Sequence, residues 1–247
     1  LNGAAVERNL RAFDIGRWAV LHPDAVDRLI APSVVELPKT LSEEIDLRAA
    51  HLEAYQGRRL AKRFRAFVAD IKDETLGRAA LTGYHKLLSY KDEYEVARLL
   101  LSSRQKVTEQ FEGDIKLTYN LAPPMIARMG PDGRPQKRAF GAWIERPLRM
   151  LASMKWLRGT PFDVFGYTSE RRMERALIRQ YEKDMKEVVP LVSKETHDAV
   201  VALARLPMEI RGFGPVKAKN EEKAAKRREE LLAVIRAGGP AVAKAAE

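Results

Sequence analysis

The chain contains no cysteine in its 247 residues. That excludes disulfides, thiolate nucleophiles, zinc ribbons and cysteine-held iron–sulfur clusters on this segment. Histidine is scarce: His22, His51, His85 and His197 are the four. None has a second histidine at ligand spacing, and a hydrolytic zinc centre needs three convergent protein ligands. Each is read as a surface or packing side chain. Long apolar runs are missing too. The longest, residues 199–204, falls far short of the roughly 20 residues a membrane helix needs. No signal-like n-region and h-region opens the chain. A cytoplasmic location without a membrane partner is the expectation. There is also no Walker sequence and no Gly-x-Ser-x-Gly elbow.

What the chain does have is charge and helical periodicity. Lys plus Arg number 44 against 34 Asp plus Glu, a formal +10, and 45% of residues are hydrophobic. That balance argues for a folded chain, and the length suits one large domain or two small ones. Basic residues cluster at Arg58, Arg59, Lys62, Arg63 and Arg65, and again at Lys223, Lys226, Arg227 and Arg228. A surplus of this size is the footprint of many nucleic-acid binders. Against that, the second cluster is interleaved with Glu221, Glu222, Glu229 and Glu230, the pattern of solvated helices paired at i, i+4. A nucleic-acid-binding module stays as the alternative. The opening Leu1-Asn2-Gly3 lacks a Met and flows into a helical pattern, so a segment of a longer polypeptide is expected.

The spacing of apolar residues predicts a mainly α protein. Val6, Leu10 and Phe13 share one helical face, while Ile15 and Trp18 point elsewhere, which calls for packing partners on more than one side. His22-Pro23-Asp24 breaks that helix, and residues 31–39 read as a linker because of Pro32 and Pro38. Residues 1–38 are assigned to the end of a preceding domain and 39–247 to a helical domain. Thr40 and Glu43 have capping-box spacing. One bent helix or two abutting ones should run to about residue 72, with the phase rotating after Gly57. A further helical stretch is expected from 76 to 101, with Gly83 as a possible interruption and Lys91 to Glu95 as its charged centre. Ile115, Leu117 and Tyr119 alternate as a strand does. With a return around 136–140, they predict a hairpin-like excursion between 114 and 141. Helices resume around Trp143 to Met154, from a cap at Thr168 or Ser169, from a cap at Ser193, and from 216 to 236.

Few motifs carry chemistry. Gly212-Phe213-Gly214 resembles a truncated dinucleotide loop but follows a helix and lacks the third glycine. Its other reading is a helix C-cap and turn, where glycine supplies positive φ. Gly113-Asp114-Ile115 departs from the Gly-Asp-Gly that opens thiamine diphosphate sites. Adjacent carboxylates such as Asp92 and Glu93, or Glu43 and Glu44, read as solvated faces or ion-pair partners.

Four stretches are too idiosyncratic for generic helix. They are Tyr90 to Arg98 (YKDEYEVAR), Leu121-Ala122-Pro123-Pro124, Phe165-Gly166-Tyr167-Thr168 with Glu170 to Arg175 (ERRMER), and Ile210 to Gly214 (IRGFG). In this order they resemble the C-terminal helical region of the indolepyruvate ferredoxin oxidoreductase family. The opening Leu1 to Asn9, with Ala12-Phe13 and Gly16-Arg17, resembles the end of that family's gamma-type domain. The resemblance implies a parent enzyme that oxidatively decarboxylates a 2-oxoacid with thiamine diphosphate and magnesium. CoA would take the acyl group, and iron–sulfur clusters would pass electrons to ferredoxin. Upstream domains of the same polypeptide would be partners. None of the family's cluster or thiamine motifs maps onto this segment, so it implies no catalytic, cofactor-binding or metal residue here. The matching residues read as architecture. Asp92, Glu93, Glu95, Arg98, Glu170, Arg171, Arg172, Glu174 and Arg175 form a candidate ion-pair network, and Gly166, Gly212 and Gly214 are candidate turn glycines. An arginine reaching an anionic cofactor group on a neighbouring domain is the other use such a network allows.

Overall fold

Helix boundaries in this chain are set by short-range signals. Thr40 Oγ1 accepts from Glu43 N at 3.2 Å while Thr40 N donates to the Glu43 carboxylate at 3.3 Å, closing the capping box that opens a helix. The computed structural model describes residues 6–30, 38, 40–110, 116–122, 136–212 and 215–239. Among them are ten α-helices and one two-stranded sheet, so the protein is mainly α. The chain divides into two compact units, residues 1–38 and 39–247.

The first unit holds α1 (Val6–Leu21) and α2 (Pro23–Ile30). The break at His22 is one residue wide, and a second helix restarts where the sequence suggested only a stop. Pro23 sits at its first position, where a missing N–H costs nothing and the fixed φ suits a helix. No residue of α1 is buried, and Phe13 and Ile15 are each 65% exposed. The linker reading of 31–39 lies almost wholly outside the described residues.

The second unit begins with α3 (Leu41–Tyr55) and α4 (Arg58–Ala69). They are two helices rather than one bent one, separated at Gly57, whose φ of +141° is open to glycine and strained for other residues. The expected 76–101 helix is likewise two: α5 (Glu74–Leu88) and α6 (Glu93–Gln110). The charged centre is the break itself, because Asp92 Oδ1 accepts from Glu95 N at 2.9 Å and starts a new helix. Gly83 does not interrupt α5. It is buried within it, because a Cβ there would stand 2.3 Å from the carbonyl oxygen of Ala204. The glycine permits a close helix crossing.

The hairpin-like excursion expected between 114 and 141 is present. β1 (Tyr119–Leu121) pairs antiparallel with β2 (Arg138–Phe140), Tyr119 opposite Phe140. Ile115 lies outside the described residues, and Leu117 precedes the strand yet packs beside it. Then come α7 (Glu145–Ser153), α8 (Ser169–Val188), α9 (His197–Arg205) and α10 (Pro215–Arg236), with short 3-10 turns between. Thr168, not Ser169, caps α8, accepting from Arg171 N at 3.3 Å. Ser193 organises a turn by accepting from Glu195 N and Thr196 N, and α9 starts three residues later than its cap suggested.

The main core is built around α5, which is buried on nearly every side. Leu52, Phe64, Leu76, Leu81, Tyr84, Met185, Val200 and Ile235 close it from α3, α4, α5, α8, α9 and α10, each less than 2% exposed. Each large apolar side chain buried this way contributes roughly 1.5–3 kcal/mol. A second, smaller cluster of Ala97, Tyr119, Phe140 and Leu148 ties α6 and α7 to the hairpin.

Candidate functional site: a buried ion-pair network and its cleft

The junction of α5 and α6 concentrates buried charge. Asp92 is 3% exposed, and it chelates Arg158, a residue from the end of a 3-10 turn 66 positions away. Arg158 Nε reaches Oδ2 at 2.5 Å and Nη2 reaches Oδ1 at 2.8 Å, the bidentate geometry of a strong charge-assisted pair. Its Nη1 donates to the Tyr55 carbonyl at 3.0 Å, and the guanidinium lies 3.7 Å from the centre of the Tyr55 ring. Tyr55 in turn donates its hydroxyl to Tyr90 O at 2.8 Å. Burial, first of all, pushes the Tyr55 phenol far above its ordinary range. α3, the α5–α6 junction and residue 158 are thus locked by one cation.

A second carboxylate, Asp163, organises the turn before α8. Gly159 N donates to it at 2.9 Å, Gly166 N at 3.1 Å and the Tyr94 hydroxyl at 3.2 Å. Arg175 Nη1 lies 3.9 Å away and its other nitrogen donates to Gly166 O. Gly166 is required by space: a Cβ would sit 2.5 Å from Asp163 Oδ2.

The third carboxylate is Glu174, 5% exposed on α8. Arg171 Nη1 donates to it at 2.6 Å and Lys217 of α10 donates to its other oxygen. Arg171 also donates to Lys91 O at 2.9 Å and lies 3.9 Å from Glu93. Glu93 Oε2 is buried without a hydrogen bond, and burial pushes this carboxyl above its usual value, with Arg171 opposing. Glu170 lies 3.5 Å from Lys217.

The candidate network therefore needs corrections. Asp92 pairs with Arg158 rather than with the α8 arginines. It is no solvated face. Glu95 and Arg98 form a pair within α6, at 2.6 and 2.8 Å, and do not reach α8. Arg172 is exposed and makes no ion pair among the described residues. Arg175 joins Asp163, outside the Asp92–Glu95 stretch. Arg171, Glu93 and Glu174 do come together. Gly212 has a φ of +102°, the positive value of the turn reading, and Gly214 lies outside the described residues. Arg158 and Lys217 were missed because nothing in helical spacing marks a partner so remote in sequence. Asp163 had a signal, since an aspartate three residues before a glycine is turn chemistry.

Beside Glu174 opens a cleft of about 310 Å³. Three of the four idiosyncratic stretches meet on its wall: Tyr90 and Lys91 from the first, Glu174 from the third, Ile210 to Gly212 from the fourth. Lys86 donates to the carbonyls of Pro207 and Ile210, the latter at 2.6 Å. Burial, and then the neighbouring Lys217 and Arg211, pull its ammonium down to about 8, with Glu174 opposing.

The histidines hold a further surprise. His51 of α3 and His85 of α5 lie 3.1 Å apart, nitrogen to nitrogen, although no spacing linked them. Burial pulls both down, His85 to about 4, so both are neutral at pH 7 and share one hydrogen bond. Among the described residues no group of three or more His, Cys, Asp or Glu is placed to hold a metal ion, and no helix is long and apolar enough to cross a membrane. The basic runs are largely paired. Arg63 meets Glu182 at 2.6 Å, Arg58 meets Glu53 at 3.1 Å and Arg228 meets the buried Asp184 at 2.5 Å, while Lys62 and Lys223 stay exposed.

Fold and site together define a helical domain whose elements are tied by buried ion pairs. The chain belongs to DUF6537, a family of unknown function, whose model matches residues 41–230. No curated protein and no solved structure matches it.

Proposed function

We propose that this chain is a framework and interaction domain of a thiamine-dependent 2-oxoacid:ferredoxin oxidoreductase of the indolepyruvate type, with the catalytic centre on other segments. The observation that carries this reading is where the resembling residues go. Asp92, Glu95 and Glu174 are each at most 5% exposed and engaged in pairs, a use that sets registry between elements rather than chemistry. The donor set agrees. A chain without cysteine holds no thiolate for an iron–sulfur cluster, so such clusters would belong to the rest of the parent enzyme. The pairing of the basic runs favours this reading over nucleic-acid binding.

The test is purification of the native polypeptide or complex that contains this chain, beside the chain alone. The native material is expected to reduce a viologen with a 2-oxoacid and CoA, and the chain alone to be colourless and inactive. Native material inactive on every 2-oxoacid supplied, or a chain that alone binds a nonspecific duplex with an affinity falling steeply as salt rises, would overturn the proposal.

A further inference from the structure

The cleft beside Glu174 is left unexplained by a purely architectural reading. Its charged wall is lopsided: Lys86, Lys91, Arg211 and Lys217 face a single carboxylate, Glu174, which Arg171 and Lys217 already occupy. Lys86 is a half-buried cation with three N–H donors. Two go to Pro207 O and Ile210 O, and the third has no partner among the described residues. The Arg211 side chain donates its Nε to Met208 O at 2.7 Å, and its terminal nitrogens have no partner among the described residues. Leu87, Leu177 and Ile210 give the wall its apolar part. The volume, about 310 Å³, stands at the small end of ligand pockets and suits a small molecule rather than a polymer.

We propose that this cleft binds a small organic anion, a carboxylate or phosphate monoester, with its charge on Lys86, Lys217 and Arg211 and its apolar body against Leu87 and Leu177. An anion there supplies the acceptor that the spare Lys86 donor lacks and offsets the repulsion among the three cations. The site is a property of this chain, so its failure would leave the proposed parent enzyme untouched.

Calorimetry on the full chain at pH 7, with phenyl phosphate, benzoate and inorganic phosphate as probes, tests it. Binding of phenyl phosphate identifies the monoester class, and tighter binding of benzoate identifies the carboxylate class. Lys86→Met should weaken the bound probe by about tenfold or more, the loss of one charge-assisted hydrogen bond. Because Lys86→Met leaves two carbonyls without a donor, the exposed Arg211→Gln is the second variant, and it too should weaken binding without lowering the melting temperature. A third readout is the ε-carbon shift of Lys86, which titrates near 8 in the free chain. Bound anion should raise that midpoint against burial, the main cause that depresses it, and against Lys217 from α10 and Arg211 from the preceding turn, while Glu174 from α8 acts in the same direction as the anion. Three results would overturn the site: no binding by either organic probe, equal affinity for inorganic phosphate, or affinity and Lys86 midpoint both unmoved by the substitutions and the probe.

Discussion

Single side chains do most to hold the α5–α6 junction. Arg158 is 2% and Asp92 3% exposed at the side chain, so each depends on the other. Arg158→Met should leave the Asp92 carboxylate and the Tyr55 carbonyl without donors and cost about 3–5 kcal/mol. Asp92→Asn keeps a capping oxygen and an acceptor and should cost less. Urea unfolding of both variants checks this order, and an Arg158→Met loss under about 1 kcal/mol would mean the pair is dispensable. His85 makes a pH prediction. Its folded value of about 4 is depressed from 6.5 by burial first, then by His51 and Arg48 of α3. Between those two values the unfolded chain takes up a proton that the folded chain refuses. Stability from this group is therefore complete above the unfolded value and falls as pH drops through the window. The loss should be on the order of 2 kcal/mol after allowance for solvent screening. Unfolding midpoints at pH 7 and pH 5 should differ more in the native chain than in His85→Gln, and equal differences would count against the burial of this imidazole.

Among the elements, α5 is the one whose packing sequence periodicity describes least well. Gly83 has a helix-breaking identity and a helix-packing role, since its missing Cβ lets the Ala204 carbonyl approach. Gly83→Ala gains up to about 1 kcal/mol of helix propensity yet forces α5 and α9 apart, for a net loss of about 1–3 kcal/mol. Gly16 in α1 is the control, because nothing lies within 4 Å of a Cβ there. Gly16→Ala should raise helicity by circular dichroism while Gly83→Ala lowers the melting temperature. A Gly83→Ala chain as stable as the native one would mean the crossing relaxes freely.

For the molecule as a whole, the buried hydrophobic residues among those described run from Ala49 to Ile235, none of them in the first unit. Removing residues 1–38 should leave 39–247 folded, with its melting temperature within a few degrees of the intact chain, and more soluble, since it sheds the exposed Val6, Leu10, Phe13 and Ile15. A drop of ten degrees or more, roughly 2.5–5 kcal/mol or above for a domain of this size, would make the first unit part of the same folding unit.

Local physics was legible along the chain. The Thr40–Glu43 box, the Thr168 cap, the break at Gly57 and the hairpin near 119 and 140 all rest on interactions within a few residues or on the alternation of one strand. Such signals act on the backbone where they stand. The pairing of charges was not legible in the same way. Asp92 has Glu93, Glu95 and Arg98 close in sequence, and its partner is Arg158; Glu174 has Arg171 one turn away and Lys217 on another helix. The meeting of His51 with His85, and the cleft on which Lys86, Arg211 and Lys217 converge, belong to the same class. A charge or a ring nitrogen can satisfy itself with many partners of opposite character. Only the packing of helices around α5 selects which of them come within hydrogen-bonding distance.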